Sequence, residues 1–153
     1  APPQISAVGD PHMQNVHGER FDLMVPGRHV LINIPRGERT EKALLRVQAD
    51  ARRTGHQCAD MYLLEINVTG SWAEAKQAGG YHYSASQSEV DVPEWIAFDK
   101  VELKIVRGHT DTGLSHLNVY VKHLARAGFA VGGLLGEDDH SDISTPAVEC
   151  TQQ

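Results

Sequence analysis

Apolar and polar residues alternate most regularly in two late segments of the chain, 101–105 and 117–122. A period of two places successive side chains on opposite faces of a strand, so both segments are predicted to be half-buried β-strands. Gly113 lies in the polar stretch between them, where a tight turn is required. The pattern therefore predicts a β-hairpin.

Further strands are predicted where β-branched, aliphatic and aromatic residues are bounded by Gly or Pro. These segments are 21–24, 28–34, 61–68, 81–84 and 95–98. Val25-Pro26-Gly27 is a turn signal between the first two segments, which are predicted to pair as a hairpin. Residues 71–80 are mostly small and polar and are interpreted as a loop or a short helix.

The segment 40–53 carries two conflicting signals. Residues 41–46 have a helix-forming composition. However, Leu45, Val47 and Ala49 alternate with polar residues, which is typical of a half-buried strand. We interpret 40–53 as a strand.

Many short strands separated by turn residues are typical of an all-β protein. We predict an antiparallel β-sandwich with short helices or turns in its loops. A chain of 153 residues is long enough for one domain with a substantial core. Residues 1–153 are therefore interpreted as a single domain, with its core at about 9–142 and an irregular tail from Thr145.

The composition narrows the range of functions. The net charge is −6 and no block of Lys and Arg is present, which disfavours a nucleic-acid surface. No apolar run approaches the about 20 residues that span a bilayer. The first residues, Ala1-Pro2-Pro3-Gln4, lack the basic start and apolar stretch of a signal peptide, so we interpret the chain as a mature or trimmed product.

Two sequence features favour an oxidising, extracellular setting. Cys58 and Cys150 are either two buried thiols or one disulfide that closes a long loop. Asn67-Val68-Thr69 is an N-glycosylation sequon, so Asn67 is a candidate glycosylation site. Together they predict a secreted glycoprotein.

The segment 137–142 contains four carboxylates in six residues. Like charges at this spacing repel, so a folded loop that holds them needs a cation or wide exposure to solvent. Calcium takes about six to eight oxygen ligands, and acidic loops near Gly commonly supply them. The spacing differs from that of an EF-hand, and a solvated acidic turn is the alternative.

The two ends of the chain resemble a known family. The opening Gly9-Asp10-Pro11-His12, followed by His17-Gly18 and Phe21-Asp22, is similar to the start of the von Willebrand factor type D domain. The later Gly133-Leu134-Leu135-Gly136-Glu137-Asp138-Asp139 resembles the Gly-Leu-Cys-Gly-Asn-like segment of that family. It is also similar to a C-terminal motif of inter-alpha-trypsin inhibitor heavy chains. The resemblance spans 9 to about 142, in the family's order.

The resemblance implies a β-sandwich in which Ca²⁺ joins the opening Asp to the late acidic loop. It nominates the ligands Asp10, Glu137 and Asp139. Asp142 is a further candidate carboxylate, and His140 a candidate through its backbone carbonyl. Asp138 stands where the family often has an aromatic residue and is expected to face solvent.

One departure from the family concerns cysteine. Leu134 and Leu135 stand where extracellular members often carry Cys, and this chain has only two cysteines. Thiol exchange and disulfide-linked multimers are therefore not expected. A single Cys58–Cys150 bridge remains a prediction.

The sequence does not predict an enzyme. Nine histidines are present, but none belongs to a His-Glu-x-x-His segment. No Gly-x-Ser-x-Gly nucleophile elbow is present either. His12 is interpreted as a structural residue that forms hydrogen bonds near the opening turn.

Three functions compete, and the sequence identifies neither the partner nor the oligomeric state. The first is a calcium-stabilised extracellular module for adhesion, assembly or protein interaction. The second is a lectin-like, carbohydrate-binding protein that uses calcium or the aromatic residues, although 95–98 is expected to lie in the core. The third is a metal-dependent hydrolase built on His12, His17 and the acidic loop. The aromatic candidates are Trp72, Tyr81, Tyr83 and Trp95.

Overall fold

The computed structural model describes residues 5–9, 11–54, 61–86 and 93–144. These residues form two antiparallel sheets, which confirms the predicted all-β, sandwich-like fold. The strands in chain order are β1 (Ile5–Val8), β2 (His12–Gln14), β3 (Arg20–Asp22), β4 (Gly27–Ile34), β5 (Leu45–Arg53), β6 (Met61–Thr69), β7 (Tyr81–Ser84), β8 (Ile96–Phe98), β9 (Val101–His109) and β10 (Ser115–Lys122). One α-helix, α1 (Ser71–Glu74), and one 3₁₀ turn, Thr40–Lys42, lie between strands, and a second 3₁₀ turn, Leu124–Arg126, follows β10.

The first sheet has six strands in the order β3-β2-β1-β10-β9-β8, and the second has four in the order β4-β5-β6-β7. The core lies between the sheets and takes alternate residues from each strand. On β5, for example, Leu45, Val47 and Ala49 are buried while the residues between them are only half-buried. Strand β10 of the first sheet packs against β6 of the second, so the two sheets are in contact there. Within the described residues no helix is long and apolar enough to cross a membrane.

The predicted hairpin of 21–24 with 28–34 is wrong. Strand β3 ends at Asp22 and pairs with β2 in the first sheet, whereas β4 pairs with β5 in the second. Leu23 is buried, and the Met24 backbone N donates a hydrogen bond to Ile143 O at 2.7 Å. Burial of Leu23 and bonding to a late segment end the strand, and the chain then crosses to the other sheet.

The prediction for 40–53 is correct only from Leu45 onwards. Residues Thr40–Lys42 form a 3₁₀ turn instead. The Leu44 backbone N then donates to Ile34 O, so the turn returns the chain to β4 before β5 begins. The helix-forming composition of residues 41–46 therefore produces only one short 3₁₀ turn.

The hairpin predicted around Gly113 is confirmed, because β9 and β10 pair from Ser115–His109 to Lys122–Glu102. Strand β9 extends to His109, beyond the predicted segment 101–105. A Cβ atom at Gly108 would lie 2.8 Å from Cε1 of His116, so this glycine makes room for a buried ring. The predicted 95–98 strand begins at Ile96.

Candidate functional site

The opening hairpin and the late acidic turn meet at one edge of the sandwich. The Val16 backbone N donates to Leu135 O at 2.8 Å, and the Met24 N donates to Ile143 O at 2.7 Å. We call residues 11–24 together with 131–144 the clamp, because these backbone bonds join segments from opposite ends of the chain. The early and the late segment that resemble the von Willebrand factor type D domain are thus neighbours in the fold.

The Gly133–Gly136 turn lies along the outer edge of β4. Leu134 N donates to Val30 O at 3.0 Å, and Leu135 N donates to Leu31 O at 2.9 Å. Gly133 has a φ of +92°, and a Cβ atom there would lie 2.4 Å from Leu31 O. Only glycine combines this dihedral with so close an approach. The turn therefore covers an edge that would otherwise expose unpaired backbone groups.

Leu134 and Leu135 contribute to the core rather than to a covalent linkage. Their side chains are 8% and 0% exposed, and both belong to the core cluster. Burial of a leucine side chain contributes about 1.5–3 kcal/mol. At these two positions the chain stabilises the clamp by hydrophobic packing.

The ring of His140 stacks on the ring of Phe21 inside the clamp. The ring centroids are 3.8 Å apart and the planes differ by 1°. On the edge of the ring, His140 Nε2 lies 3.8 Å from Glu19 Oε1, a contact that is ionic when the imidazole is protonated. Nδ1 of His140 is buried and has no hydrogen-bond partner among the described residues.

Asn15 organises the loop between β2 and β3, a role that the sequence analysis missed. Its side chain is 1% exposed, and its Oδ1 accepts hydrogen bonds from the backbone N of His17 and of Glu19, each at 3.0 Å. Its Nδ2 donates to Glu19 Oε1 at 2.9 Å. This bond, helped by the charges of His140 and His17, lowers the pKa of Glu19. Asn side chains commonly form hydrogen bonds with the backbone two residues later in a turn. Asn15, two positions before His17, is therefore a sequence signal of this loop.

The predicted ligand Asp139 lies on the exposed surface of the clamp. Its Oδ1 accepts a hydrogen bond from Ser141 N and its Oδ2 accepts one from Ser141 Oγ, both at 3.0 Å. These two bonds lower the pKa of Asp139. The carboxylate is therefore held ionised and in a defined orientation.

Glu137 and Asp138 both lie beside Arg36. Arg36 Nη1 is 3.6 Å from Glu137 Oε2, and Arg36 Nε donates to Asp138 Oδ1 at 3.2 Å. Asp138 faces solvent, as expected, with 46% of its side chain exposed, and it also forms an ion pair with Arg36. The arginine lies on the connection after β4, far away in sequence, so only the folded chain brings it there.

The remaining predicted ligands differ in their surroundings. Asp142 is exposed and forms no hydrogen bond or ion pair with other described residues. The backbone carbonyl of His140 accepts a bond from Ser144 N at 3.1 Å. Asp10 lies outside the described residues, as do Cys58 and Cys150.

The donor chemistry of the acidic turn fits calcium in part. Asp139 and Asp142 offer exposed carboxylate oxygens, the ligands that calcium prefers. Glu137 would have to leave Arg36 to join them. Within 5–9, 11–54, 61–86 and 93–144, no three His, Cys, Asp or Glu side chains are placed to hold a metal ion. A complete set would therefore need Asp10 or a rearranged Glu137.

His12 and Asn67 both form side-chain hydrogen bonds. His12 Nδ1 lies 2.7 Å from Asp22 Oδ1, the pairing partner across β2 and β3, which agrees with a structural role for this histidine. The Asn67 Oδ1 on β6 lies 2.6 Å from Nδ1 of His82 on β7. Glycosylation of Asn67 stays a prediction.

The four aromatic residues considered for sugar binding do not form one platform. Trp72, Tyr81 and Tyr83 pack against the core, with the Tyr81 ring 5.7 Å from that of Phe98. The expectation that 95–98 lies in the core is confirmed for Phe98 and Ile96. Trp95 lies outside the core cluster, beside two lysines.

A scan against models of known protein families found no match to this chain, and a search of curated proteins found none either. The resemblance to the von Willebrand factor type D domain therefore depends on the motif residues alone.

Proposed function

We propose that this chain is an extracellular calcium-binding module of the von Willebrand factor type D kind, with a role in adhesion, assembly or protein interaction. The observation that carries the proposal is the clamp, in which Val16 bonds to Leu135 and Met24 bonds to Ile143. Its acidic turn places Asp139 and Asp142 on the surface where the two ends of the chain meet. A cation bound there would stabilise that junction.

The proposed ligands combine carboxylates from both ends of the clamp. They are Asp10, Glu137, Asp139 and Asp142, with the backbone carbonyl of His140. The hydrogen bonds from Ser141 keep Asp139 ionised and oriented before any ion arrives. Calcium, when bound, supplies positive charge that offsets repulsion among these carboxylates.

The contacts of two histidines in the clamp, His12 and His140, support a binding role. His12 is hydrogen-bonded to Asp22, and His140 is stacked on Phe21. Both side chains make contacts within the fold, and neither belongs to a hydrolase motif in the sequence. We infer that the chain is not an enzyme. The extracellular setting is proposed from the Asn67 sequon and the two cysteines.

Thermal unfolding with calcium, with magnesium, with zinc and with chelator tests the proposal. At free calcium about 100-fold above Kd, binding to the folded state alone raises Tm by roughly 5–10 °C for a chain of this size. Asp10→Asn and Asp139→Asn are each expected to abolish this shift. The matched control Asp111→Asn removes an exposed carboxylate in the β9–β10 turn and is expected to keep it.

The absence of a calcium shift would overturn the proposed site. A shift of equal size with magnesium would indicate general charge screening rather than a calcium site. A shift with zinc alone would assign the site to His140, whose Nδ1 lacks a partner among the described residues.

Carbohydrate binding is the second candidate function. One observation favours it, the position of Trp95 beside Lys104 and Lys122 on the surface of the first sheet. Aromatic rings and flanking polar groups at a surface are typical of sites that bind sugars through stacking and hydrogen bonds.

A further inference from the structure

A single row of side chains crosses the first sheet on the face turned away from the core, which we call the outer face. Backbone pairing places Arg20 beside Gln14, Gln14 beside Ser6, Ser6 beside Tyr120 and Tyr120 beside Lys104. Trp95 immediately precedes β8, where Ile96 pairs with Leu103, so Trp95 continues the row beyond Lys104. We call these six residues the cross-sheet row.

Strand alternation explains why the row lies on the outer face. Its members alternate with core residues, such as Ala7 next to Ser6, Met13 next to Gln14 and Val121 next to Tyr120. The row crosses five strands of the sheet and continues to Trp95, which immediately precedes the sixth. At a spacing of about 4.8 Å between strands, it extends over about 24 Å. An elongated ligand therefore fits it better than a compact one.

One end of the row is basic and aromatic. Lys122 Nζ lies 4.0 Å from the Trp95 ring centroid, and Lys104 Nζ lies 5.1 Å from the same centroid. Lys104 Nζ is also 5.7 Å from the centroid of Tyr120. Cation–π contacts hold both ammonium groups in place without neutralising their charge.

No carboxylate of the described residues forms an ion pair with either ammonium group. Glu102 pairs with Lys122 across the strands, but its Oε2 lies 3.4 Å from His123 Nε2. Two like charges that share one ring repel each other. An anionic group placed between them would relieve this repulsion.

The other end of the row is a surface groove of about 460 Å³ that both polar and apolar residues line. Arg20 at its edge is exposed and forms no ion pair with a described residue. Gln14 and Ser6 lead from the groove towards Tyr120, and they offer an amide and a hydroxyl. The row thus has cations at both ends and uncharged hydrogen-bonding groups between them, while the one carboxylate that lines the groove, Asp22, is hydrogen-bonded to His12. The groove is lined by Ser6, Val8, His12, Met13, Gln14, Arg20, Phe21 and Asp22.

We propose that the cross-sheet row binds an acidic polysaccharide, a chain whose sugars carry sulfate or carboxylate groups. The anionic groups pair with Lys104, Lys122 and Arg20, and the sugar hydroxyls form hydrogen bonds with Gln14 and Ser6. The rings of Tyr120 and Trp95 provide apolar surface for the faces of the sugars. The overall charge of −6 makes this local concentration of cations distinctive. The proposal names a partner class and does not depend on calcium binding.

Binding of fluorescent dextran sulfate and alginate, with neutral dextran and poly-glutamate as comparisons, tests the proposal. The wild-type chain is expected to bind at least one of the two acidic polysaccharides, more weakly as salt rises. It is expected not to bind neutral dextran. Lys104→Gln with Lys122→Gln should weaken binding about tenfold or more, because two charge-assisted contacts are lost. Arg20→Gln should weaken it further.

The matched control is Lys42→Gln with Lys76→Gln, which removes the same charge from exposed lysines outside the first sheet. It is expected to change the affinity less than twofold, within about 0.4 kcal/mol. Far-UV circular dichroism and Tm verify that every variant is folded. The same losses are expected with calcium and with chelator, since Lys104 and Lys122 lie on β9 and β10 rather than in the clamp.

Three outcomes would overturn the proposal. The first is no binding of either acidic polysaccharide. The second is equal weakening by the control pair, which would indicate general ion exchange. The third is binding of poly-glutamate as tight as that of the polysaccharides, which would assign the row to acidic peptides. A missing calcium shift in Tm leaves these results unaffected, so failures of the two proposals are distinguishable.

Discussion

The imidazole ring of His140 stacks on the phenyl ring of Phe21, with centroids 3.8 Å apart and planes 1° from parallel. Phe21 lies on β3 of the first sheet, and His140 follows the turn that covers β4 of the second. This contact therefore packs the two halves of the clamp against each other. It adds a side-chain contact to the backbone hydrogen bonds that Val16 and Met24 form across the clamp.

Phe21→Ala is expected to lower the free energy of unfolding by about 2 kcal/mol, less than the 3–5 typical of a fully buried ring because Phe21 is half-buried. Urea unfolding monitored by circular dichroism measures this change. Phe129→Ala is the control, since that ring is 49% exposed. A loss at Phe21 no larger than that at Phe129 would contradict a stabilising role for the stack.

Gly133→Ala is expected to destabilise the fold by more than about 3 kcal/mol, because a Cβ would lie 2.4 Å from Leu31 O. Gly113→Ala is a matched comparison. Its φ is +86°, close to the +92° of Gly133, but nothing lies within 4 Å of the added Cβ. It should cost only the backbone strain of about 1–2 kcal/mol. Equal losses in urea unfolding would show that close packing on β4 contributes nothing.

Asn15→Ala is expected to cost about 2–3 kcal/mol, since it leaves the backbone N–H groups of His17 and Glu19 without their acceptor. Gln14→Ala, one position earlier on the outer face, is expected to change stability by less than about 0.5 kcal/mol. Differential scanning calorimetry of the two variants measures the difference. Similar Tm values would rule out Asn15 as the organiser of the loop.

His116 is expected to make the fold less stable in mild acid. Burial, and then the charge of His109, lower the pKa of His116, which lies against Tyr62 and is 7% exposed. The unfolded chain, with a His pKa of about 6.5, then binds more protons than the folded chain. Stability from this group is complete above that value and is lost as pH falls below it, towards the lowered folded pKa. The lowered pKa values of Glu19 and Asp139 act in a more acidic range, below the usual pKa of carboxylates.

Tm measured at pH 7.5 and at pH 5.5 checks this prediction. The wild-type chain is expected to have a lower Tm at the acidic pH, and His116→Gln should reduce the difference. His17→Gln removes an exposed imidazole and serves as the control. An undiminished difference in the His116 variant would refute the proposed cause.

The local pattern of residues predicted the strands β3 to β10, although not the short strands β1 and β2, and it predicted which faces are buried. Leu45, Val47 and Ala49 alternate with polar residues in the sequence, and all three are buried. The β9–β10 hairpin also follows from local signals, because its strands and its turn are adjacent in the chain. Burying every second residue stabilises a strand whatever its partner, so alternation alone is sufficient to predict it.

The tertiary structure alone decided which segments are neighbours. β3 pairs with β2 rather than β4, and Arg36 lies beside Asp138 although 102 positions separate them. The cross-sheet row likewise depends on the order of six strands, which no local pattern specifies. Pairing is selected by the packing of the whole core and by hydrogen bonds between distant segments. These interactions form only in the folded chain. The motifs at the two ends therefore did not reveal that Arg36 would lie beside Glu137 and Asp138.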